Sequence, residues 1–255
     1  EAIELKNGKR IDADIVVANA DLPYVYNELL PDKAIARRLK KKEHSCSAIV
    51  FHWGMDKIYP ELRHHSIFLN EPYKEGMNKI FKEKSLSDRP CFYIHAPVRT
   101  DPSAAPENQD TLSVIIPVGH IDENTDQDWQ AIKKSARESV IHRLKEAGCS
   151  DIENHIKFEL CFMPKTFESY CNVSRGSVFG SLSHTIFQMG YFRPHNRHGK
   201  YKNLYFAGGS THPGNGIPLV LLSAKLTSER INNINPRASK TQSNLTVYGK
   251  HTSGR

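Results

Sequence analysis

Short runs of apolar and β-branched residues along the chain predict strands, and longer segments with apolar positions three and four apart predict helices. The predicted strands cover residues 3–5, 11–18, 47–51, 66–69, 91–95, 111–117, 156–162 and 204–207. The predicted helices cover residues 22–30, 34–42, 73–84 and 165–170, with one more from Thr125 to Gly148 and another from Ile217. Strands and helices share the chain, so we predict a mixed α/β fold.

The helix with the clearest periodicity opens at a capping-box-like sequence, Thr125-Asp-Gln-Asp128. Its apolar residues fall on one stripe, and Gly148 is the predicted stop. The stripe consists of Trp129, Ile132, Ala136, Val140 and Leu144. We expect this helix to pack on an antiparallel sheet formed by the middle strands.

Two apolar runs predict a different kind of strand. The segment from Asp14 to Ala18 is almost continuously apolar, which is typical of a parallel strand buried on both faces. Leu204 to Ala207 is a second short apolar run and ends at two glycines. It predicts a buried strand immediately before a loop.

That loop is rich in glycine and leads directly into a helix. Glycines at 208, 209, 214 and 216 allow close approach of the backbone to another group, and Pro218 suits the first turn of a helix. Backbone N–H groups and the positive end of the helix dipole would then face a phosphate or another electron-rich group. On shape alone, ligand binding and simple packing are equally compatible with this loop, and the dinucleotide pattern G-x-G-x-x-G is absent.

The charge balance is basic, with 35 Lys and Arg against 28 Asp and Glu and a net charge of +7. The densest basic block, residues 37–42, predicts a short basic amphipathic helix, for which a membrane contact and a solvated face are both open. A nucleic-acid-binding module is disfavoured because the aromatic residues lie mainly in apolar runs. No apolar run approaches the roughly 18 residues that a membrane-spanning helix needs.

The cysteines and histidines predict no metal site and no catalytic residue. The five cysteines are scattered without C-x-x-C spacing, which favours free thiols. The pairs His64/His65 and His195/His198 lie in polar surroundings, so we expect solvated rings. His212 lies in the glycine loop directly before a proline, where a structural role is favoured over a catalytic one.

The full glycine-loop string, from Phe206 to Leu221, closely resembles the C-terminal signature of bacterial and fungal phytoene desaturases. The segment Gly190-Tyr-Phe-Arg-Pro-His-Asn196, which precedes it, supports the same resemblance. Further matching segments cover residues 97–106, 116–120 and 12–21. The resemblance therefore extends over roughly residues 1–233.

The resemblance implies the C-terminal part of a two-domain, Rossmann-like flavoprotein, a fragment without the N-terminal dinucleotide-binding βαβ unit and inactive when isolated. Residues 1–22 would be returning strands of the FAD-binding domain, and residues 23–165 the α+β substrate-binding domain. Residues 166–235 would complete the FAD-binding domain. We predict that the polar tail, residues 236–255, is disordered.

The implied activity is flavin-dependent desaturation of phytoene, with hydride transfer to FAD and lycopene or a further dehydrogenated carotene as the product. NAD stays open as the final acceptor, although no nicotinamide site is visible in the sequence. A carotenoid isomerase or ketolase on the same scaffold is the alternative. The resemblance also implies an intracellular protein at a membrane surface. The predicted cofactor-binding residues are Gly208, Gly209, Gly214, Asn215, Gly216, Ile217 and Pro218.

Overall fold

The N-terminal segment forms a hairpin followed by a separate short strand. The computed structural model describes residues 2–70 and 72–234, so the predicted disorder of residues 236–255 lies outside the described residues. Strands β1 (Ala2–Glu4) and β2 (Arg10–Asp12) pair antiparallel, and β3 (Val16–Ala18) follows. The prediction of one strand over residues 11–18 was wrong, because the chain leaves the hairpin after Asp12 before it joins another sheet.

Two short helical segments come next. Helix α1 (Leu22–Tyr24) continues into a π-helical turn (Val25–Leu29), and α2 (Lys33–Lys40) follows after Pro31. The carboxylate of Asp32 caps α2 by accepting a hydrogen bond from the backbone N–H of Ile35 at 3.2 Å. The predicted break at Pro31 is therefore confirmed.

A five-stranded antiparallel sheet forms the middle of the chain. Its strands, in chain order, are β4 (Ser47–Met55), β5 (His65–Phe68), β6 (Phe92–His95), β7 (Asp110–Val118) and β8 (Ile156–Phe162). Their spatial order is β5-β6-β7-β4-β8, so the longest strands, β4 and β7, lie next to each other in the interior. Alternate residues of both strands are fully buried, as period-two patterning predicts.

Two helices accompany this sheet. Helix α3 (Tyr73–Phe81) ends earlier than the predicted residue 84, since Lys84 has a positive φ of 54° and cannot continue a helix. Helix α4 (Trp129–Glu146) keeps the predicted apolar stripe against the sheet. The predicted cap at Thr125 was wrong. The cap is Asp128, whose carboxylate accepts the N–H groups of Gln130 and Ala131, both at 3.0 Å.

The main hydrophobic core lies between the sheet and α4. Its fully buried members come from the inward face of the sheet and from the stripe of the helix, and they include Ile49, Phe51, Trp53, Ile94, Leu112, Val114, Ile116, Ala136, Val140 and Leu144. A second core joins α1, α2 and the C-terminal strand, with Leu22, Val25, Leu39, Leu204 and Phe206 buried together.

The C-terminal segment returns to the first part of the chain. Helix α5 (Pro164–Cys171) leads into an irregular segment, then β9 (Leu204–Phe206), a glycine loop and α6 (Ile217–Ile234). Strand β9 pairs in parallel with β3, as the apolar run at residues 14–18 predicts. The prediction that this strand, β3, is buried on both faces was wrong, since Val17 is 47% exposed. Within the described residues this sheet has only two strands, so part of β3 is uncovered.

The mixed α/β class is confirmed. Among residues 2–70 and 72–234, no helix combines the length and the apolar character needed to span a membrane.

Candidate functional site

A polar cavity of about 260 Å³ lies where the two parallel strands end. Parallel strands present their carboxyl ends at one edge, and such edges are a common place for ligands in α/β proteins. Residues 19–21 follow β3 and residues 208–210 follow β9, and both segments line the cavity. The loop before β9 contributes residues 177, 178, 180 and 181, and Asn215 closes the lining.

Close backbone contacts around Asn215 shape one wall of this polar cavity. A Cβ placed on Gly180 would lie 3.0 Å from both the Asn215 Cβ and the Gly209 carbonyl oxygen. Gly180 also has a φ of +72°, which side-chain-bearing residues rarely adopt. Only glycine therefore fits at this position without displacement of Asn215.

Hydrogen bonds from helix α6 hold the glycine loop against β9. The Ser223 hydroxyl accepts the backbone N–H of Gly208 at 3.2 Å and the side-chain N–H of Asn196 at 3.0 Å. Asn196 also donates to the His212 carbonyl at 2.8 Å. The Thr227 hydroxyl donates to the Phe206 carbonyl at 2.9 Å. These buried contacts fix the position of the loop before any ligand binds.

Asp21 is the carboxyl group of the polar cavity and is partly buried. It accepts the Ser181 hydroxyl and, at 3.0 Å, the backbone N–H of Ser174. Burial raises the pKa of Asp21, although these hydrogen bonds and the nearby Arg193 act in the opposite direction. The adjacent backbone N–H of Leu22 donates to the Ser210 hydroxyl at 2.8 Å, which joins the two lining segments.

One buried hydroxyl at the cavity lacks a partner. Ser177 is fully buried and lines the polar cavity, and its Oγ makes no hydrogen bond within the described residues. A buried hydroxyl without a partner is costly, and a ligand with a polar group at this position would remove the cost.

A second, larger cavity is almost entirely apolar and has a volume of about 580 Å³. One face of β5, β6 and β7 lines it through Ile67, Tyr93 and Ile115. Helix α3 lines the opposite side, with Tyr73, Met77, Ile80 and Phe81. Asn215 lines this apolar cavity as well as the polar cavity, so the two spaces meet at one residue.

The predicted cofactor residues divide into three groups in space. Gly208, Gly209 and Asn215 line the polar cavity. Gly214 lies behind the loop, where a Cβ would be 3.5 Å from Leu219. The remaining residues, Gly216, Ile217 and Pro218, form the turn into α6, where Ile217 is 76% exposed.

Sequence reasoning missed the residues that line the apolar cavity. They come from three strands and one helix that are distant in the chain, and a single sequence contains no signal for which strands are neighbours. Alternation along β5, β6 and β7 does mark which residues share a face, but not which face borders a cavity.

The histidines behave differently from one another. His212 donates from Nδ1 to the Gly190 carbonyl at 2.8 Å, consistent with the predicted structural role. The prediction of a solvated His198 was wrong, because its ring is buried and stacks on Tyr26. The prediction of a solvated ring is confirmed for His65, which is exposed, whereas His64 is partly buried, and both rings contact each other and His95.

Relatives of known function match nine-tenths of this chain. It is 41% identical over 247 residues to phytoene desaturase of Fusarium fujikuroi and 40% identical over 231 residues to zeta-carotene-forming phytoene desaturase of Myxococcus xanthus. It is 34% identical over 234 residues to 4,4'-diapolycopene oxygenase of a Methylomonas species. Each match covers 90% of this chain, but only 43%, 44% and 46% of the respective relative.

A solved oxidoreductase from Methanosarcina mazei is similar in fold, with a TM-score of 0.51 at 17% identity over 88% of this chain and 44% of that one. No family model matches the chain. The chain thus spans less than half the length of the curated relatives it matches. The resemblance to phytoene desaturases that the glycine loop predicts is confirmed, and this chain is a relative of these enzymes over about two fifths of their length.

Proposed function

We propose that this chain is the C-terminal part of an FAD-dependent desaturase that introduces double bonds into phytoene. The observation that carries the proposal is the position of Asn215, which borders both the polar cavity and the apolar cavity. A desaturase needs a polar cofactor and an apolar hydrocarbon side by side, and this geometry provides a space of each kind at one point.

The polar cavity fits part of a flavin cofactor by three features of its own. The Ser177 hydroxyl is buried without a partner among the described residues, Gly180 lies in close contact with Gly209 and Asn215, and the turn into α6 follows Asn215. FAD supplies the hydride acceptor that side chains lack. We infer that residues 19–21, 177–181 and 208–210, with Asn215, hold and orient it.

The turn into α6 is a further part of this proposed site. Gly216 has a φ of +96°, and among the described residues, its two chain neighbours aside, no atom lies within 4 Å of where its Cβ would be. The space in front of this turn is therefore open to a ligand. Backbone N–H groups at a helix start stabilise negative charge, so Gly216, Ile217 and Pro218 would favour an electron-rich edge of the cofactor.

The apolar cavity suits a long hydrocarbon. Phytoene has no polar group, so its binding free energy must come from burial of apolar surface. Side chains from the sheet and from α3 supply that surface, and Phe179 continues it towards Asn215.

We also propose membrane docking by one basic and aromatic surface. Helix α2 exposes Arg37, Arg38 and Lys40, whereas its Ala36 and Leu39 are buried in the second core. The contact with lipid would therefore be electrostatic along α2. Gln188 donates at 3.2 Å to the carbonyl of Glu43, which follows the basic block, so the loop that carries exposed Phe187 and Phe192 contacts the chain next to this block.

The division of the chain that the resemblance implies stays a proposal. Residues 1–22 and 166–235 would belong to the FAD-binding domain and residues 23–165 to the substrate domain. The separate cores support it, since one is built from the five-stranded sheet with α4 and the other from α1, α2 and β9. No residue is proposed for NAD.

A carotenoid oxygenase is the second candidate. It is favoured by the 34% identity to the Methylomonas 4,4'-diapolycopene oxygenase, which differs little from the 36% identity to the 4,4'-diapophytoene desaturase of the same genus. Both candidates use the same pair of cavities, so product analysis has to separate them.

A segment exchange tests the function. This chain replaces the matching segment of the Fusarium fujikuroi phytoene desaturase, and the chimera is expressed in a bacterial host that accumulates phytoene. We expect coloured, dehydrogenated carotenes by liquid chromatography. The Gly180→Leu chimera should leave phytoene unchanged, because the new side chain displaces Asn215.

Gly199→Leu serves as the matched control, since no atom of residues 2–70 and 72–234, other than those of its chain neighbours, lies within 4 Å of the Cβ position at this glycine. It should retain pigment. A folded chimera that leaves phytoene intact while the parent desaturase converts it would contradict the proposal, and oxygenated products would favour the second candidate.

A further inference from the structure

Three histidine rings meet at one edge of the five-stranded sheet. His65 in β5 and His95 in β6 are direct partners across the antiparallel pair, so their side chains lie on the same face. His64 precedes β5, and its ring centroid lies 4.3 Å from that of His65 and 4.8 Å from that of His95. No feature of the proposed flavin or substrate site uses these rings.

The distances between their ring nitrogens are those of a metal-binding cluster. One nitrogen from each ring lies within 4.8 Å of the other two. The Nε2 atoms of His64 and His95 are 3.0 Å apart. In a tetrahedral zinc site with bonds of about 2.0–2.1 Å, ligand nitrogens are about 3.3 Å apart, so small side-chain rotations would bring all three into position.

Hydrogen bonds at the other ring nitrogens orient two of the rings. The Nδ1 atom of His64 lies 2.6 Å from the Thr100 hydroxyl, and the Nδ1 atom of His65 lies 2.7 Å from the Tyr93 hydroxyl. Metal-binding histidines commonly use one nitrogen in this way and present the other to the ion. The Nε2 atoms of His64 and His65 are therefore the available ligands.

One nearby positive charge, that of Arg99, acts against a cation at this point but is offset by its own partners. The guanidinium of Arg99 donates to the buried carboxylate of Asp110 and to the carbonyls of Leu62 and Tyr59. His65 is exposed, so an ion could reach the cluster and keep water at a fourth position.

We propose that His64, His65 and His95 form a binding site for a divalent transition-metal ion of the zinc type. Imidazole ligands suit Zn²⁺, Ni²⁺ and Cu²⁺ and exclude Ca²⁺ and Mg²⁺, which require oxygen ligands. The site is linked to the apolar cavity through Tyr93, which lines that cavity and contacts His65. A bound ion would fix the position of this tyrosine at the cavity wall.

Calorimetric titration of the 255-residue chain with ZnCl₂ at neutral pH tests the proposal. We expect one tight site per chain. His65→Ala should weaken Zn²⁺ binding at least tenfold, and Tyr93→Phe should weaken it about tenfold through loss of the orienting hydrogen bond. His142→Ala is the matched control, because this exposed histidine on α4 lies outside the cluster and should leave the affinity unchanged.

Equal Zn²⁺ affinity for the wild-type chain and the folded His65→Ala variant would overturn the proposal, as would the absence of binding. Circular dichroism establishes that each variant is folded. Should the variants not fold, Co²⁺ added to the wild-type chain decides the matter. The visible absorption of tetrahedral Co²⁺ is expected, and its absence would contradict the site.

Discussion

Single buried polar side chains connect the segments around the polar cavity. His44 is buried between α2 and the loop before β9, where Nδ1 donates to the Lys42 carbonyl at 2.9 Å. Its Nε2 lies 3.3 Å from the Ser174 hydroxyl. Arg99 plays a similar role in the main core, where it contacts Asp110 and two backbone carbonyls. Each of these residues supports a prediction about stability.

His44 should make the stability of the fold depend on pH. Burial, with help from Arg175, lowers the pKa of His44 to about 4. An unfolded histidine has a pKa near 6.5, so between these values the unfolded chain binds a proton that the folded chain does not. The free energy of unfolding should therefore fall by up to about 3 kcal/mol as the pH drops from about 6.5 to about 4.

Urea unfolding at a series of pH values measures this effect. His44→Gln should flatten the dependence, whereas His195→Gln, at an exposed ring, should retain the wild-type slope. A His44→Gln variant with the same slope as the wild type would show that this ring does not titrate as the structure implies.

Loss of the Arg99 side chain should lower the free energy of unfolding far more than loss of an exposed charged side chain. Its partner Asp110 is fully buried, so Arg99→Met leaves a buried carboxylate without its cation, at a cost of about 3–5 kcal/mol. Lys134→Ala, in an exposed pair with Glu138, should change the free energy of unfolding by less than about 1 kcal/mol. The double variant Arg99→Met/Asp110→Leu should recover part of the loss. Similar values for Arg99→Met and Lys134→Ala in urea unfolding would contradict this.

Most elements follow directly from local patterns. The patterns in residues 111–117 and 156–162 place β7 and β8 to within one residue. One face of β7 is packed, whereas the alternating apolar side chains of β8, Phe158, Leu160 and Phe162, lie on its exposed face. The ends of helices are harder to predict from the sequence, since several neighbouring polar residues could each serve as the cap. Thr125 and Asp128 are both residue types that cap helices. The structure places the cap at Asp128.

The start of α4 gives a prediction at this scale. Asp128→Ala removes the acceptor for two backbone N–H groups and should cost about 1 kcal/mol of stability. Thr125→Ala should cost less than about 0.5 kcal/mol, because this residue lies outside the helix. Thermal and urea unfolding of the two variants measure the difference, and a larger loss for Thr125→Ala would contradict the observed cap.

The arrangement of the whole molecule was less predictable than its elements. The glycine loop and the segment of residues 12–21 could be identified from the sequence, because the resemblance covers both and the glycine spacing marks the loop. The meeting of two cavities at Asn215 depends on contacts between residues more than 100 positions apart, such as the bond from Leu22 to Ser210. Such long-range pairing is invisible to local periodicity.

The proposed membrane surface also belongs to the whole molecule. Arg37→Glu/Lys41→Glu should reduce co-sedimentation with anionic vesicles severalfold, because each basic residue near such a surface contributes about 1 kcal/mol. Lys133→Glu/Lys134→Glu on α4 carries the same change in net charge and should bind as the wild type does. Equal losses in both variants would indicate a general charge effect and remove the proposed surface.

The most direct test of the central claim is a crystal structure of an FAD-loaded protein that contains this segment. The claim is that a flavin and a hydrocarbon meet at Asn215, the residue shared by the two cavities. We expect the flavin ring to contact residues 208–210 and Asn215 and to present one face to the apolar cavity. A flavin bound away from Asn215, or separated from the apolar cavity by packed side chains, would contradict the account.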